Sequence, residues 1–423
     1  MSPESQRRIV LKISWRLLPL IVVSYFIAYV DRTNVAFAAL TMNKDLGISA
    51  YMYGWGAGIF FLGYALFEVP SNMILAKVGA RRWIARIMLT WGLISGAMAF
   101  ATGPASFLTL RFLLGVAEAG FFPGIIFYLS TWYPAAYRAR VISMLFLAVP
   151  ISNAAASIVS GAILGMNGIL GLKGWQWVFI IEALPAMLLS FVVWRQMIDR
   201  PADATWLSVD EREWLDSELL AERNKVESAG HMSVWRTLTD KRVLVLAMIY
   251  MTSVTASYGI VFFLPQIVKG LGHSNLMTGA LTAIPYCVGI VGLICWGYSS
   301  DRRNERRWHL ISAMIVAGVG LLGAAAFRDS YWGIAAMCVA TVGLYGSRPS
   351  FWPLPSQFMT GAAAAAGIAL INSIGNLGGY VGPFIIGWIK DSTNSFEMGL
   401  YFLAACAFAS AAITYFGIRQ PAK

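Results

Sequence analysis

Four charged residues lie where charge is expensive. Asp31 and Arg32 are neighbours inside one apolar run, and Arg111 and Glu118 sit seven residues apart inside another. A charge at mid-bilayer costs roughly 3 kcal/mol on insertion scales, so each needs a reason to be there. Neighbours on a helix point about 100° apart. Asp31 and Arg32 therefore cannot both be satisfied in one direction, and at least one faces another helix or a cavity. Seven residues are two turns, which puts Arg111 and Glu118 on one face about 10 Å apart. Low dielectric disfavours a charged carboxylate and a nearby guanidinium favours it, while the guanidinium fork also matches a carboxylate ligand. An anion that engages the arginine competes with the protein's own acid, and protonating that acid frees the arginine. The expected chemistry is coupled binding of protons and an organic anion. Asp31 and Glu118 carry the protons, Arg32 is the main anchor for the anion, and Arg111 contributes to the same cluster. The blander alternative is a static ion-pair network that holds two helices together.

A second group of polar residues lies in the later half of the chain. Arg348 precedes a cluster of prolines, Pro349, Pro353 and Pro355, which must break or kink a helix and free backbone carbonyls. A discontinuous helix beside a cavity is where transporters bind substrate. Arg348 is then either a second carboxylate ligand, suited to a dicarboxylate or an aromatic acid, or a side chain that snorkels to the interface. Asn372 and Asn376 are four apart and share a helix face, where they bind substrate or bond neighbouring helices. Asn153, beside Pro150, is a weaker case of the same kind, and Tyr29 and Trp352 are candidate cavity aromatics. Glu68, Glu182 and Asp301 are expected at cytoplasmic helix ends, paired with Arg81, Arg138, Arg140 or Arg302 near Lys77, as a gate rather than a substrate site.

The elements that hold these residues are long apolar runs. Of 423 residues 58% are hydrophobic and 13% charged, against about a quarter charged in soluble domains. Runs of about 20 apolar residues suit bilayer-spanning helices. Twelve are expected, at 15–40, 52–77, 82–102, 104–132, 139–166, 174–196, 243–269, 276–300, 308–328, 330–357, 361–389 and 397–418. The reading is an all-α polytopic membrane protein with an N-terminal half 1–196, a cytoplasmic linker 197–242 and a C-terminal half 243–423. The linker mixes acidic residues with Trp206, Leu207, Trp214, Leu215 and Leu219. It is read as solvated, with part of it able to form an amphipathic surface helix. Starting the chain in the cytoplasm places 24 of the 32 Lys and Arg residues on that side and five on the other, so both termini are expected in the cytoplasm. The first apolar run holds Asp31 and Arg32 and no small-residue cleavage site, so it reads as a retained helix rather than a signal peptide.

Several function classes fall away. The net charge of +11 sits in short loops between spans and does not imply nucleic acid. Cys287, Cys295, Cys338 and Cys406 have no metal-like spacing, and no disulfide framework is expected. His231, His273 and His309 fall in loops or at helix ends. Without a Walker loop, metal motif or nucleophile constellation, neither an enzyme nor an ATP-driven pump is expected, and no cofactor is implied. The linker is too short for the effector domain of a membrane sensor. The lipid bilayer, protons and a small organic anion are the expected partners, and a monomer suffices.

The chain also resembles a known family. A basic turn follows helix two (Lys77-Val-Gly79-Ala-Arg81-Arg82) and another follows helix eight (Gly297-Tyr-Ser-Ser-Asp301-Arg302-Arg303-Asn304-Glu305-Arg306). They resemble the duplicated signature loop of the major facilitator superfamily, and Arg138 and Arg140 resemble its basic turn after helix four. The first copy departs, with Asn72 and Ala76 in place of Gly and Asp, and Asn304 replaces a Gly in the second. The strings Tyr29-Val-Asp31-Arg32-Thr-Asn34, Phe67-Glu68-Val-Pro70-Ser-Asn72, Arg111-Phe-Leu-Leu-Gly115-Val-Ala-Glu118-Ala-Gly120 and Asn372-Ser-Ile-Gly375-Asn376 resemble the anion:cation symporter family. Within it the chain is similar to bacterial permeases for tartrate-, phthalate-, hydroxyphenylacetate- or sugar-acid-like substrates. The resemblance implies two pseudo-symmetric six-helix halves, proton-coupled uptake of an organic anion at an inner membrane, and the roles given above to Asp31, Arg32 and Glu118. Export, exchange or facilitated diffusion by the same fold remains open, as do the carboxylate transported and the proton stoichiometry.

Overall fold

In a bilayer every backbone N–H and C=O must find a partner within the protein, which leaves helices as the economical solution for apolar runs of this length. The computed structural model describes residues 1–228, 239–355, 359 and 361–418. His231 and the side chains of the small-residue run Ala362–Ala366 lie outside the described residues. The helices are α1 (Pro3–Leu46), α2 (Ala50–Val78), α3 (Ala80–Ala97), α4 (Pro104–Glu118), α5 (Phe121–Trp132), α6 (Ala135–Ile163), α7 (Gly174–Gln196), α8 (Val209–Ser228), α9 (Lys241–Lys269), α10 (Asn275–Arg303), α11 (Arg307–Ala326), α12 (Tyr331–Phe351), α13 (Gly361–Asn376), α14 (Gly378–Thr393) and α15 (Glu397–Gly417). Among the described residues eleven segments are long and apolar enough to cross a membrane, with α4 and α5 counting as one and α13 and α14 as another. The 21-residue α12, diluted by glycines and Arg348, completes twelve.

Three local features differ from the expectation. The fourth crossing is broken rather than continuous. Gly120 adopts φ +86, and a Cβ there would stand 2.4 Å from Ser71 Oγ, so both the turn and the close approach of α2 require glycine. The break ends α4 at Glu118. The eleventh crossing is likewise interrupted, between Asn376 and Gly378. Helix ten, expected over 330–357 and to break or kink at its prolines, carries Pro349 inside α12 and ends earlier, at Phe351, so the break falls just before Pro353.

The linker is not simply solvated. Leu207, Leu215 and Leu219 are buried, and Trp206 stacks on Trp132 with ring centroids 5.7 Å apart. Lys12 Nζ donates to Glu211 at 2.7 Å and Arg138 Nη1 to Glu222 at 3.0 Å. These contacts dock α8 on the end of the first six crossings, with its acidic face supplying the ion pairs.

The first and last six crossings meet backbone to backbone at the end of the bundle away from α8. A Cβ on Gly54 of α2 would stand 2.2 Å from Pro383 O of α14, and one on Gly387 would stand 2.3 Å from Ala50 O. Asp391 of α14 accepts from the free N–H groups of Ala50 and Tyr51 at 3.0 and 2.9 Å, which caps α2 from the other half. On the opposite flank a Cβ on Gly279 of α10 would stand 2.2 Å from Ser157 O of α6. At the linker end, side chains join the halves: Asn372 Nδ2 donates to Glu68 Oε1 at 3.1 Å, and Trp352 stacks on Phe146 at 6.0 Å.

Candidate functional site

Between the two sets of crossings lies a cavity of about 1020 Å³, its mouth included. Tyr29 and Arg32 reach its wall from α1, Glu118 from the end of α4, Asn153 from α6, Ser257 and Tyr258 from α9, and Arg348 from α12. Asn372 and Asn376 of α13 and Trp352, just past α12, complete the polar and aromatic lining already singled out in the sequence.

Arg32 and Glu118 form an ion pair through Nη2 and Oε1, with side chains only 11% and 3% exposed. The other terminal nitrogen of Arg32 donates to Tyr258 Oη at 3.2 Å. Its guanidinium lies 5.0, 5.3 and 5.5 Å from the ring centres of Tyr29, Phe60 and Tyr64. These faces favour a cation and leave the fork directed toward the cavity. Across the cavity Arg348 Nη2 donates to Ser257 Oγ at 3.1 Å, with the guanidinium 5.3 Å from the Tyr250 ring centre. Ser257 and Tyr258 are consecutive, so α9 steadies one arginine from each half. Asn153 Nδ2 donates to Tyr345 Oη at 2.9 Å, while its Oδ1 is buried without a protein partner.

Two residues of the expected charge cluster lie elsewhere. Arg111 is fully buried, with Nε donating to Gly56 O at 3.1 Å and Nη2 to Ala57 O at 3.3 Å. The reason is the approach of α4 to α2, where a Cβ on Gly115 would stand 2.0 Å from Phe60 O. At that spacing Arg111 reaches the α2 carbonyls and is spent on them rather than on the cavity. Asp31 points away from Arg32, as the helical rotation requires. Its Oδ1 accepts from Ser95 Oγ of α3 and from Asn34 Nδ2 at 3.0 Å, and its Oδ2 is buried without a protein partner.

The pairings expected of the gate are also different. Glu68 is bonded by Asn372 rather than by an arginine, because it faces the other half from within α2. Glu182 lies inside α7, not at a cytoplasmic end, and accepts from Ser160 Oγ at 2.6 Å. Asp301 pairs with Arg306 at 2.5 Å, its near neighbour across the α10–α11 turn, and Arg138 pairs with Glu222 of α8. Arg81 is held through its backbone N–H on Asp199 Oδ1 at 2.8 Å, and Lys77, Arg140 and Arg302 are exposed.

The sequence reading missed Tyr25, Tyr64, Tyr250, Ser257, Tyr258 and Tyr345, all on the cavity wall. A faint signal exists. Tyr25 and Tyr29 are four apart, and Tyr250 and Tyr258 eight apart, so each pair shares a helix face. The same spacing serves lipid-facing or core packing equally well, and only the neighbouring helices distinguish them.

The sequence profile of the Major Facilitator Superfamily matches residues 21–383. A protein of Agrobacterium vitis named "Putative tartrate transporter" is 50% identical over 414 residues, 98% of this chain and 95% of that protein. The "Quinolone resistance transporter" of Acinetobacter baumannii is 44% identical over 97% of this chain and 95% of its own. A solved structure of a bacterial homologue of the human lysosomal transporter Spinster, inward-facing and unoccupied, aligns over 100% of both chains with a TM-score of 0.77 at 16% identity. That likeness shows a common fold.

Proposed function

Because the chain belongs to the Major Facilitator Superfamily, and so is a multi-pass membrane transporter of small organic substrates rather than an enzyme, we propose that it imports a small organic carboxylate together with protons. The observation that carries this reading is the ion pair between Arg32 and Glu118 on the wall of a cavity between the halves. In the empty protein Glu118 neutralises Arg32. Protonating Glu118 removes that partner, and a substrate carboxylate replaces it. Both combinations leave the buried guanidinium compensated. Anion-free Arg32 opposite a protonated Glu118 is not compensated, and stranding one member of a buried pair costs roughly 3–5 kcal/mol. That penalty couples the proton to the anion by more than about a hundredfold.

Asp31, off the cavity and held by Ser95 and Asn34, is the second proton carrier in this reading. Halves 1–196 and 243–423, joined by the linker 197–242, rock about the site. The backbone contacts of Gly54 and Gly279 close one face, and Glu68 with Asn372 latches the other. The concentration of Lys and Arg near the linker supports a cytoplasmic location for both termini in an inner membrane. Two relatives named for tartrate at 50% identity make a short hydroxylated dicarboxylate the first anion to test.

The test is uptake of labelled tartrate into proteoliposomes with and without an inward proton gradient, for the unmodified protein and Glu118→Gln. Accumulation is expected to need the gradient and to be lost in the variant, while counterflow exchange survives. Gradient-independent accumulation refutes proton coupling. The relative named for quinolone resistance favours a second reading, outward transport of an aromatic acid. Uptake into inside-out vesicles driven by an acid-interior proton gradient, with substrate and proton moving in opposite directions, would select it.

A further inference from the structure

The proposed import of an organic anion leaves open what size and charge of anion the cavity selects. Among the described residues its wall carries three formal charges: Arg32, Arg348 and Glu118. Arg32 has Glu118 as its partner. Arg348 has no carboxylate within ion-pair distance among the described residues, only the neutral Ser257 hydroxyl and the Tyr250 ring. It does not run out to the interface: it is half-buried on the same wall as Arg32, from the opposite half of the chain. The other ionisable side chains nearby are tyrosines and Glu68, which lies behind Asn372. With Glu118 charged the cavity holds a net charge of one, and with Glu118 protonated it holds two.

We propose that Arg348 makes the site selective for short dicarboxylates, anchoring one carboxylate whatever the state of Glu118, while Arg32 takes the other once Glu118 is protonated. The proposal rests on the import reading above for the role of Glu118. A dianion compensates both guanidinia of the protonated site, whereas a monoanion strands one of them. Both guanidinia stand on the wall of one cavity and are held by α9, Arg32 through Tyr258 and Arg348 through Ser257, so one molecule in the cavity can meet both. Because the two arginines come from opposite halves, a bound dianion also bridges the halves as they close. The vacant Oδ1 of Asn153 gives a hydroxyl on such a dianion an acceptor.

The test compares tartrate with threonate, which keeps the four-carbon hydroxylated chain but replaces one carboxylate by a hydroxymethyl group. Affinities are measured by calorimetry on the intact protein in nanodiscs. Threonate cannot form the second charge-assisted hydrogen bond, so tartrate is expected to bind at least about tenfold more tightly. Arg348→Gln is expected to bring the two affinities within about threefold of each other, and Arg348→Lys to keep part of the preference. Should Arg348→Gln fail to give a monodisperse protein, Ser257→Ala provides the second perturbation and is expected to lower the preference about fivefold. Equal affinities in the unmodified protein, or a preference untouched in whichever variant folds, overturn the proposal. Gradient-driven uptake of threonate matching that of tartrate also overturns it and leaves proton-coupled import standing. An Arg348-dependent preference without gradient-driven uptake upholds it and refutes the coupling.

Discussion

Gly54 offers a sharp perturbation of the transport cycle, because its neighbour across the halves is backbone. A Cβ at this position would stand 2.2 Å from Pro383 O, 3.0 Å from the Pro383 carbonyl carbon and 3.2 Å from Gly387 Cα. No rotamer change relieves a clash with a carbonyl, so Gly54→Ala forces α2 and α14 apart by about 1 Å. Overpacking of this kind costs about 1–3 kcal/mol, and here only in the conformation in which this end is closed. The closed-to-open ratio at this end should therefore fall about 5- to 150-fold. The assay is a pair of spin labels at Lys44→Cys and Met398→Cys, both exposed near this end, in a background with the four native cysteines replaced. Gly54→Ala is expected to move population to the longer distance and to slow net uptake. Gly115→Ala is the control. Its Cβ would meet Phe60 O at 2.0 Å, but α4 and α2 belong to the same half. That substitution should lower the melting temperature without moving the label distances. Unchanged distances and uptake in Gly54→Ala, in a folded protein, would refute closure through this glycine contact.

Three further outcomes are expected. Asp31→Asn keeps an acceptor for Ser95 but removes a titratable group, so gradient-driven accumulation should fall at least about tenfold while the fold, measured by thermal melting, is retained. Tyr258→Phe removes the hydroxyl that accepts from Arg32 at 3.2 Å and should weaken anion affinity about fivefold in calorimetry, whereas an unaltered affinity would exclude Tyr258 from positioning the arginine. The docking of α8 should be acid-sensitive. Partial burial pushes the Glu211 carboxyl up, but hydrogen bonds from Lys12 and the Ser208 N–H outweigh it and hold the group below its ordinary value of 4.5. A depressed carboxyl stabilises docking above its ordinary value and loses that contribution as pH falls through the lowered one. The protection factors of residues 209–228 in hydrogen exchange, taken relative to the intrinsic rate at each pH, should therefore fall as the pH drops below 4.5, and Lys12→Ala should weaken that dependence.

Composition and the length of the apolar runs were enough to identify the solvent and the number of crossings. Runs of about 20 apolar residues leave no other economical way to satisfy the backbone in lipid, and the cost of an intramembrane charge is readable from position alone. Arg32, Glu118, Arg348, Asn372 and Asn376 could thus be singled out without coordinates, and all of them reach the cavity wall. Which charge faces which partner depended on how the helices assemble. Sequence spacing placed Arg111 and Glu118 on one face of a continuous helix, but how closely α4 meets α2 depends on the glycines of both helices. Arg111 went to the carbonyls of Gly56 and Ala57, and the turn at Gly120 ended α4 at Glu118. The partners of Glu68 and Glu182 were missed for the same reason: a residue's depth and face can be read along one helix, but its partner lies on another. The tyrosines around Arg32 and Arg348 were invisible until the helices were assembled, because an aromatic ring suits lipid, core and cavity alike. Periodicity fixes the face of each helix, and only the packing of one helix against the next decides what that face meets.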